Sequence, residues 1–266
     1  MINKTLYIRE IKGSIKIMAA FCAVITMYVA IIINMYDPEM TKTLDRFVEM
    51  MPELMASVGM KGNASNLLGF MVSYLYGFIL LIFPMLLCIL RGNALIAKYV
   101  DKGSMVSLVA APVKRRTIAF TQMAVLISNI VFVVLYGTIV EIICIAGSFP
   151  EVQDLKKLMI LNIGLLCLHL FIGSICFLFS CVCSDVKYSI AFGAGIPAFM
   201  YVLQMLANTG GKAEKIKYFT FFTLFSPDHL LAGENNAGVG IAVLFIGAIV
   251  LYISGMIVFD RKELYI

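Results

Sequence analysis

The chain has 266 residues, of which 61% are hydrophobic and 14% charged, with a formal net charge of +5. Soluble domains average about 45–50% apolar and about 25% charged residues, so this chain has too few polar side chains to cover a folded surface in water. Composition therefore excludes a soluble domain and predicts a single all-α, polytopic membrane domain over residues 1–266. No nucleic-acid partner is expected, because the small positive charge is not concentrated on a polar domain.

Residues 1–16 precede the first apolar run and show helical periodicity. Three cations share one face of such a helix, opposite a face of tyrosine and isoleucine: Arg9, Lys12 and Lys16. This pattern predicts an N-terminal amphipathic interfacial helix whose basic face contacts anionic membrane lipid and, in the sharper interpretation, a cytoplasmic partner. The alternative is a simple basic flank of the first span.

Six stretches without a charged residue follow, at 17–36, 62–90, 117–140, 158–184, 188–211 and 235–259. A helix needs about 20 apolar residues to cross the hydrocarbon core, and these stretches lack strand-like alternation, so they predict six transmembrane helices. An even number of spans places both termini on one side. That side carries 13 of the 21 Lys and Arg residues, so we expect a plasma-membrane protein with both termini cytoplasmic.

Two loops on the opposite side, 37–61 and 212–234, are longer than connectors require. The first has apolar residues at helical spacing, which predicts an amphipathic helix interrupted at Pro52. The second contains an aromatic cluster between Tyr218 and Phe225, which is typical of a membrane interface. These extracellular loops are expected to form either a lid or vestibule over the bundle, or ordinary folded loops.

The cytoplasmic loop at 91–117, between the second and third spans, is the most informative segment. Residues 95–101 continue a helix, Gly103 breaks it, and Ser104 can N-cap a second short helix that Pro112 ends. A short helix held parallel to the membrane by two spans suits the docking of a cytoplasmic protein. The alternative is a solvated turn, which would not need the apolar residues between Ser104 and Pro112.

This loop resembles a motif in the permease subunits of type-2 ATP-binding-cassette exporters. The family pattern is acidic–x–Gly–Thr–(x)–Leu-Leu–x–x–Pro-Val–x–Arg, and its counterparts here are Gly103-Ser104, Leu108, Pro112-Val113 and Arg115. Ser104 stands where threonine is commoner, and a Val-Ala dipeptide replaces the leucine pair. Ser226-Pro227 before the last span and the charged tail after Phe259 are also similar to that family, so the resemblance extends over the whole chain.

The resemblance implies that two such permeases, identical copies or paralogues, form a dimer that works with two nucleotide-binding ATPase subunits. Those subunits would bind ATP and Mg, so this chain would hold no cofactor. The N-terminal helix and the segments 95–101 and 104–111 would contact the ATPase subunit, the second as a coupling helix. The residues assigned to this coupling segment are Leu95, Lys98, Asp101, Gly103, Ser104, Leu108, Pro112 and Arg115.

The predicted function is ATP-driven export of a hydrophobic or amphipathic substrate, and the bulky extracellular loops favour a toxin or antimicrobial peptide. The chain itself is not expected to be an enzyme. It lacks the G-x-x-x-x-G-K-[ST] phosphate loop and, with His169 and His229 as its two histidines, any H-E-x-x-H motif. Cys181 and Cys183 form a C-x-C pair without a second pair, so no metal site is expected.

Glu141 follows the third charge-free stretch directly. A carboxylate facing central lipid would cost about 3 kcal/mol, so we expect this one to face protein, water or the headgroups. It is the candidate for the substrate path as a cavity-lining charge, and the alternative places it at headgroup level. An ion-coupled secondary transporter or channel is the rival function, but it would show inverted repeats and paired mid-membrane charges, which the sequence lacks. A membrane scaffold or sensor is a third reading.

Overall fold

The computed structural model describes residues 2–60, 66–105, 108, 113–150 and 154–262, and these residues form helices and connecting turns without a strand. The α-helices are α1 Lys4–Asn34, α2 Pro38–Met50, α3 Pro52–Ser57, α4 Leu67–Met71, α5 Ile79–Leu95, α6 Ala97–Asp101, α7 Arg115–Ser148, α8 Leu155–Val182, α9 Val186–Asn208, α10 Pro227–Ala232 and α11 Asn235–Arg261. Six segments are long and apolar enough to cross a membrane, with α4 to α6 together making the second. The predicted all-helical multi-pass membrane protein is therefore confirmed.

The bundle has two distinct ends. Asn3 and Lys262 lie at one, which we call the terminal end, because the backbone N–H of Asn3 donates to Thr121 and the carbonyl of Lys262 accepts from Arg115. The opposite end carries α2, α3 and α10, and we call it the loop end. The helix predicted in the first long loop is confirmed as α2 and α3, which meet at Pro52.

Helix α8 is the centre of the bundle. It packs against α5, α7, α9 and α11, and 72% of its most apolar stretch is buried, against 22% for α9 and for α11. The residues of α8 itself are apolar on every face, which is typical of a buried helix. Helices α9 and α11, in contrast, leave broad apolar faces toward lipid. The bundle therefore has one protected axis and a lipid-facing perimeter.

Small residues allow α5, α8 and α9 to pack closely. A Cβ on Gly92 would lie 2.5 Å from the Cβ of Cys176, so only glycine fits there. The Cys176 thiol donates to the carbonyl of Gly193 at 3.0 Å, and the Ser189 hydroxyl donates to Asn93 Oδ1 at 2.6 Å. Such contacts between small and polar residues hold membrane helices together where lipid removes the hydrophobic driving force.

The second span is not one regular helix. A π-helical turn at Val72–Tyr76 separates α4 from α5, and Pro84 lies inside α5. Gly59, with a φ of +79°, touches the backbone of Gly77 just after this turn, where a Cβ would lie 3.0 Å from the Gly77 Cα. Two glycines therefore join the first long loop directly to the second span.

The N-terminal segment differs from the prediction. Helix α1 runs without a break from Lys4 to Asn34, so the expected interfacial helix is not a separate element. The reason is a third face that the amphipathic pattern did not reveal, since Leu6, Glu10 and Ser14 recur every fourth residue and are buried. Asn129 on α7 donates to the Ser14 hydroxyl at 3.1 Å, so tertiary contacts fix these first turns against the bundle.

Candidate functional site

A buried ion pair joins the N-terminal turns of α1 to the second span at the terminal end. Arg91 Nη2 lies 3.5 Å from Glu10 Oε2, and the two side chains are only 8% and 10% exposed. The same nitrogen donates to the Glu10 backbone carbonyl at 3.3 Å. Tyr99 on α6 donates a hydrogen bond to the other carboxylate oxygen of Glu10. One carboxylate therefore ties together α1, α5 and α6, and we call these three residues the Glu10 cluster.

A cleft of about 220 Å³ opens beside the Glu10 cluster. Lys98, Lys102 and Ser104 line it together with the cluster, and all three are exposed. Arg9, Lys12 and Lys16 are exposed on the adjoining α1. This end therefore presents many cations around a carboxylate that is already paired, so an acidic surface would be attracted to it.

The predicted coupling residues fall into three groups. Lys98, Asp101, Gly103 and Ser104 are exposed. Leu95, by contrast, is completely buried, so its side chain is not exposed for contact with a partner. It faces inward because α5 continues past the predicted end of the second span, at 90, as far as Leu95 itself. Pro112 lies outside the described residues, as do 106, 107 and 109–111 of the expected coupling helix.

Ser104 and Leu108 both contact the bundle, and the helix predicted between Ser104 and Pro112 lies largely outside the described residues. The Ser104 hydroxyl donates to the Tyr99 carbonyl at 3.3 Å, so its side chain contacts α6. Gly103, which lies between the end of α6 and Ser104, has a φ of +67°, the left-handed conformation that glycine favours at a helix end. Leu108 is half-buried and packs against the core. The segment is therefore held to the bundle on both sides of Gly103.

Arg115 is bound to Lys262, the residue directly after α11. Its Nη1 donates to the Lys262 carbonyl at 2.9 Å. Lys262 Nζ in turn donates to the carbonyls of Cys181 and Cys183 at 3.1 and 2.7 Å, and so caps the C-terminus of α8. Burial lowers the pKa of Lys262 and raises that of the Cys183 thiol. Arg115 thus joins the start of α7 to the ends of α8 and α11.

Glu141 is completely buried near the loop end. Its Oε2 accepts hydrogen bonds from the Tyr76 hydroxyl at 2.9 Å and from Asn162 Nδ2 at 2.7 Å. Its Oε1 has no hydrogen-bond partner among the described residues. The carboxyl therefore faces protein, as expected, and α7 continues beyond it to Ser148. Its level relative to the headgroups stays a prediction.

An apolar pocket of about 390 Å³ lies at the loop end, and we call it the loop-end pocket. Helix α2 covers it with Leu44, Phe47 and Val48, and α1 and the second span supply residues such as Ile31 and Phe78. Its size falls within the range of small-molecule sites, about 300–1,000 Å³. Helix α2 therefore covers an apolar pocket at this end, and the role of the two long loops as a lid or vestibule stays a prediction.

Sequence reasoning missed the Glu10 cluster. Glu10 is the one acidic residue among the first 36, in a segment otherwise basic, and it shares a helix face with Leu6 and Ser14. That isolated acid was the available signal, but its partner Arg91 lies 81 positions away. Among the described residues, no three His, Cys, Asp or Glu side chains come together as metal ligands would.

Comparison of the chain with protein-family models, with curated proteins and with solved structures finds no match in any of the three. Function is therefore inferred from the residues and their arrangement. Three features carry it, namely the Glu10 cluster with its basic surroundings, the buried Glu141 carboxyl and the loop-end pocket.

Proposed function

We propose that this chain is the transmembrane permease subunit of an ATP-driven exporter of the ATP-binding-cassette class. A separate nucleotide-binding ATPase subunit would supply the energy, and the substrate would be hydrophobic or amphipathic, such as a toxin or antimicrobial peptide. The observation that carries the proposal is the Glu10 cluster. It joins the N-terminal helix to the segment after the second span, which are the two parts that permeases resembling this chain offer to their ATPase.

The Glu10 cluster suits the transmission of force from a docked partner. A partner that pushes on α6 also moves α1 and α5, because Tyr99 and Arg91 hold the same carboxylate. A buried ion pair resists separation, since breaking it leaves an uncompensated charge in a low-dielectric site. The exposed cations Lys98 and Lys102 on one side, and Lys12 on the other, would receive an acidic partner surface.

The loop-end pocket supports the substrate class. Its described lining is formed by aliphatic, methionine and aromatic side chains, which bind apolar groups by burial rather than by directed hydrogen bonds. Methionines such as Met35, Met55 and Met60 adapt to varied shapes, as a surface for greasy ligands requires. An exporter with cytoplasmic termini would release its substrate past this pocket.

A dimer and a lipid environment fit the remaining surface. Helices α9 and α11 bury little of their apolar surface inside the chain, so they are available to membrane lipid and to a second permease copy or a paralogue. The excess of Lys and Arg on the terminal side supports cytoplasmic termini in a plasma membrane.

One observation favours an ion-coupled transporter or channel as the second candidate. Glu141 is buried in the third span with one carboxyl oxygen free of partners among the described residues. Buried ionisable groups inside membrane proteins often mark ion or proton pathways. This candidate differs from the first in its energy source, and so the two can be separated directly.

The deciding experiment measures transport and hydrolysis on the native complex. The tagged chain is purified in mild detergent with its companions and reconstituted in liposomes, and ATP hydrolysis is followed with and without candidate peptides. We expect peptide-stimulated hydrolysis that Glu10→Gln reduces and that Glu53→Gln, an exposed acid at the loop end, leaves unchanged. Uptake driven by an ion gradient without ATP, and abolished by Glu141→Gln, would instead establish the second candidate.

A further inference from the structure

A groove of about 480 Å³ runs between α7 and α11 at the terminal end, and we call it the α7–α11 groove. Arg116 and Arg261 stand at its charged end, next to Thr117. Phe120, Ile253 and Ile257 line the rest, together with a methionine. The groove is therefore cationic at one end and apolar along its length.

The charge at the mouth of the groove is unbalanced. Arg116 is 78% exposed, and its Nε lies 2.7 Å from the carboxylate of Asp260. Arg261 is exposed as well, so among the residues that the structure describes there, two cations and one anion give the mouth a net charge of +1. Guanidinium groups bind phosphate through two parallel N–H donors, and the ion pair with Asp260 uses only the Nε of Arg116.

The apolar part of the groove reaches into the membrane-spanning region. From Arg261 to Ile253 the α-helical rise of 1.5 Å per residue gives a length of about 12 Å. Phe120 is 36% exposed, and Ile253 and Ile257 are each 47% exposed, so within this chain the floor is uncovered. An occupant that satisfies both parts needs an anionic head and an apolar tail of at least that length.

We propose that the α7–α11 groove binds one anionic phospholipid. The phosphate would lie between Arg116 and Arg261, and an acyl chain would cover Phe120, Ile253 and Ile257. Basic clefts between membrane helices at the headgroup level are a recurring way to bind acidic lipids. A soluble phosphate would leave the apolar floor exposed, which is why the lipid is the occupant. The inference requires only that the six helices span a bilayer, and it does not depend on the proposed exporter function.

The absence of tryptophan from the chain permits a site-specific test. Phe120→Trp places a single fluorophore in the groove, and the protein is reconstituted in vesicles of brominated phosphatidylglycerol or brominated phosphatidylcholine mixed with the unbrominated lipids. Quenching at each composition gives the relative affinity for the anionic lipid. We expect phosphatidylglycerol to be preferred about fivefold, as one net charge near the surface predicts. Arg116→Gln with Arg261→Gln leaves the Asp260 carboxylate as the charge at the mouth and should bring the ratio to one or below.

Matched variants make the result specific. Lys187→Gln removes an exposed cation at the same end but outside the groove, so the preference should persist. Phe132→Trp, on α7 and 50% exposed, reports ordinary lipid contact and should show no preference. Because Arg116→Gln also breaks the ion pair with Asp260, Arg261→Gln alone provides a second variant and should lower the ratio by itself.

Four outcomes would overturn the proposal, the last of them in a competition with inorganic phosphate. The first is an equal preference at positions 120 and 132, and the second is a preference that survives the arginine substitutions. The third is a Trp at 120 that neither brominated lipid quenches, since protein and not lipid would then cover the groove. Inorganic phosphate, added at constant ionic strength, should leave the ratio unchanged, and loss of the preference would assign the site to a soluble anion instead.

Discussion

Replacing Arg91 by Met should destabilise the protein far more than removing its neighbouring cation. The substitution leaves the Glu10 carboxylate buried with Tyr99 as its remaining side-chain partner and removes the hydrogen bond to the Glu10 carbonyl. Removing one partner of a buried ion pair costs about 3–5 kcal/mol. Both side chains are at most 10% exposed, so solvent screening reduces this cost little. We therefore expect a loss of about 3–5 kcal/mol in the free energy of unfolding.

The assay is an SDS titration of the protein in mixed micelles, with helix content followed by circular dichroism. Lys98→Met is the matched control, because Lys98 lines the same cleft but is exposed, and surface substitutions typically change stability by within about 0.5 kcal/mol. Glu10→Gln combined with Arg91→Met should recover most of the loss, since no buried charge is then left unpaired. Equal losses for Arg91→Met and Lys98→Met, or strictly additive effects in the double variant, would refute the reasoning.

Three further results are expected. Gly92→Ala, whose new Cβ would meet Cys176, should lower the unfolding free energy by about 1–3 kcal/mol in the same titration, whereas Gly13→Ala, with open space around it, should not lower it. Burial holds the pKa of Lys262 below that of the unfolded chain, so between these two values the unfolded state binds more protons and stability should rise with pH. Lys262→Met should flatten the stability profile in the range just below pH 10.5, the ordinary pKa of lysine, and an unchanged slope would count against the burial. Leu44→Asp puts a carboxylate into the loop-end pocket and should raise the peptide concentration for half-maximal ATPase stimulation by about tenfold, whereas Thr43→Asp, exposed on the same helix, should not.

The spans were predictable because hydropathy is a local property of the sequence. Each charge-free stretch became a membrane-crossing segment, and the helix break before Pro52 followed from proline chemistry. The ends of the spans were less predictable. Helix α1 begins at Lys4 and not near 17, because Glu10 and Ser14 find polar partners inside the bundle that make a buried polar face favourable.

The site residues were predictable only in part, because their partners are distant in the sequence. Glu141 could be expected to face protein from the cost of burying a charge in lipid, but not that Tyr76 and Asn162 would bind it. Arg115 was assigned from a motif, and the motif carries no information about its bond to the Lys262 carbonyl. Periodicity assigns a residue to a face, whereas packing decides what that face meets.

The contact between Gly59 and Gly77 has a mechanical consequence for the loop end. Gly77 directly follows Tyr76, whose hydroxyl binds Glu141, and Gly59 follows α3, which together with α2 lines the loop-end pocket. A ligand that displaces α2 and α3 must either separate Gly59 from Gly77 or pull on the backbone beside Tyr76. Binding in the loop-end pocket is thus mechanically coupled to the position of the Glu141 carboxyl, and the coupling passes through the backbone contact between two glycines.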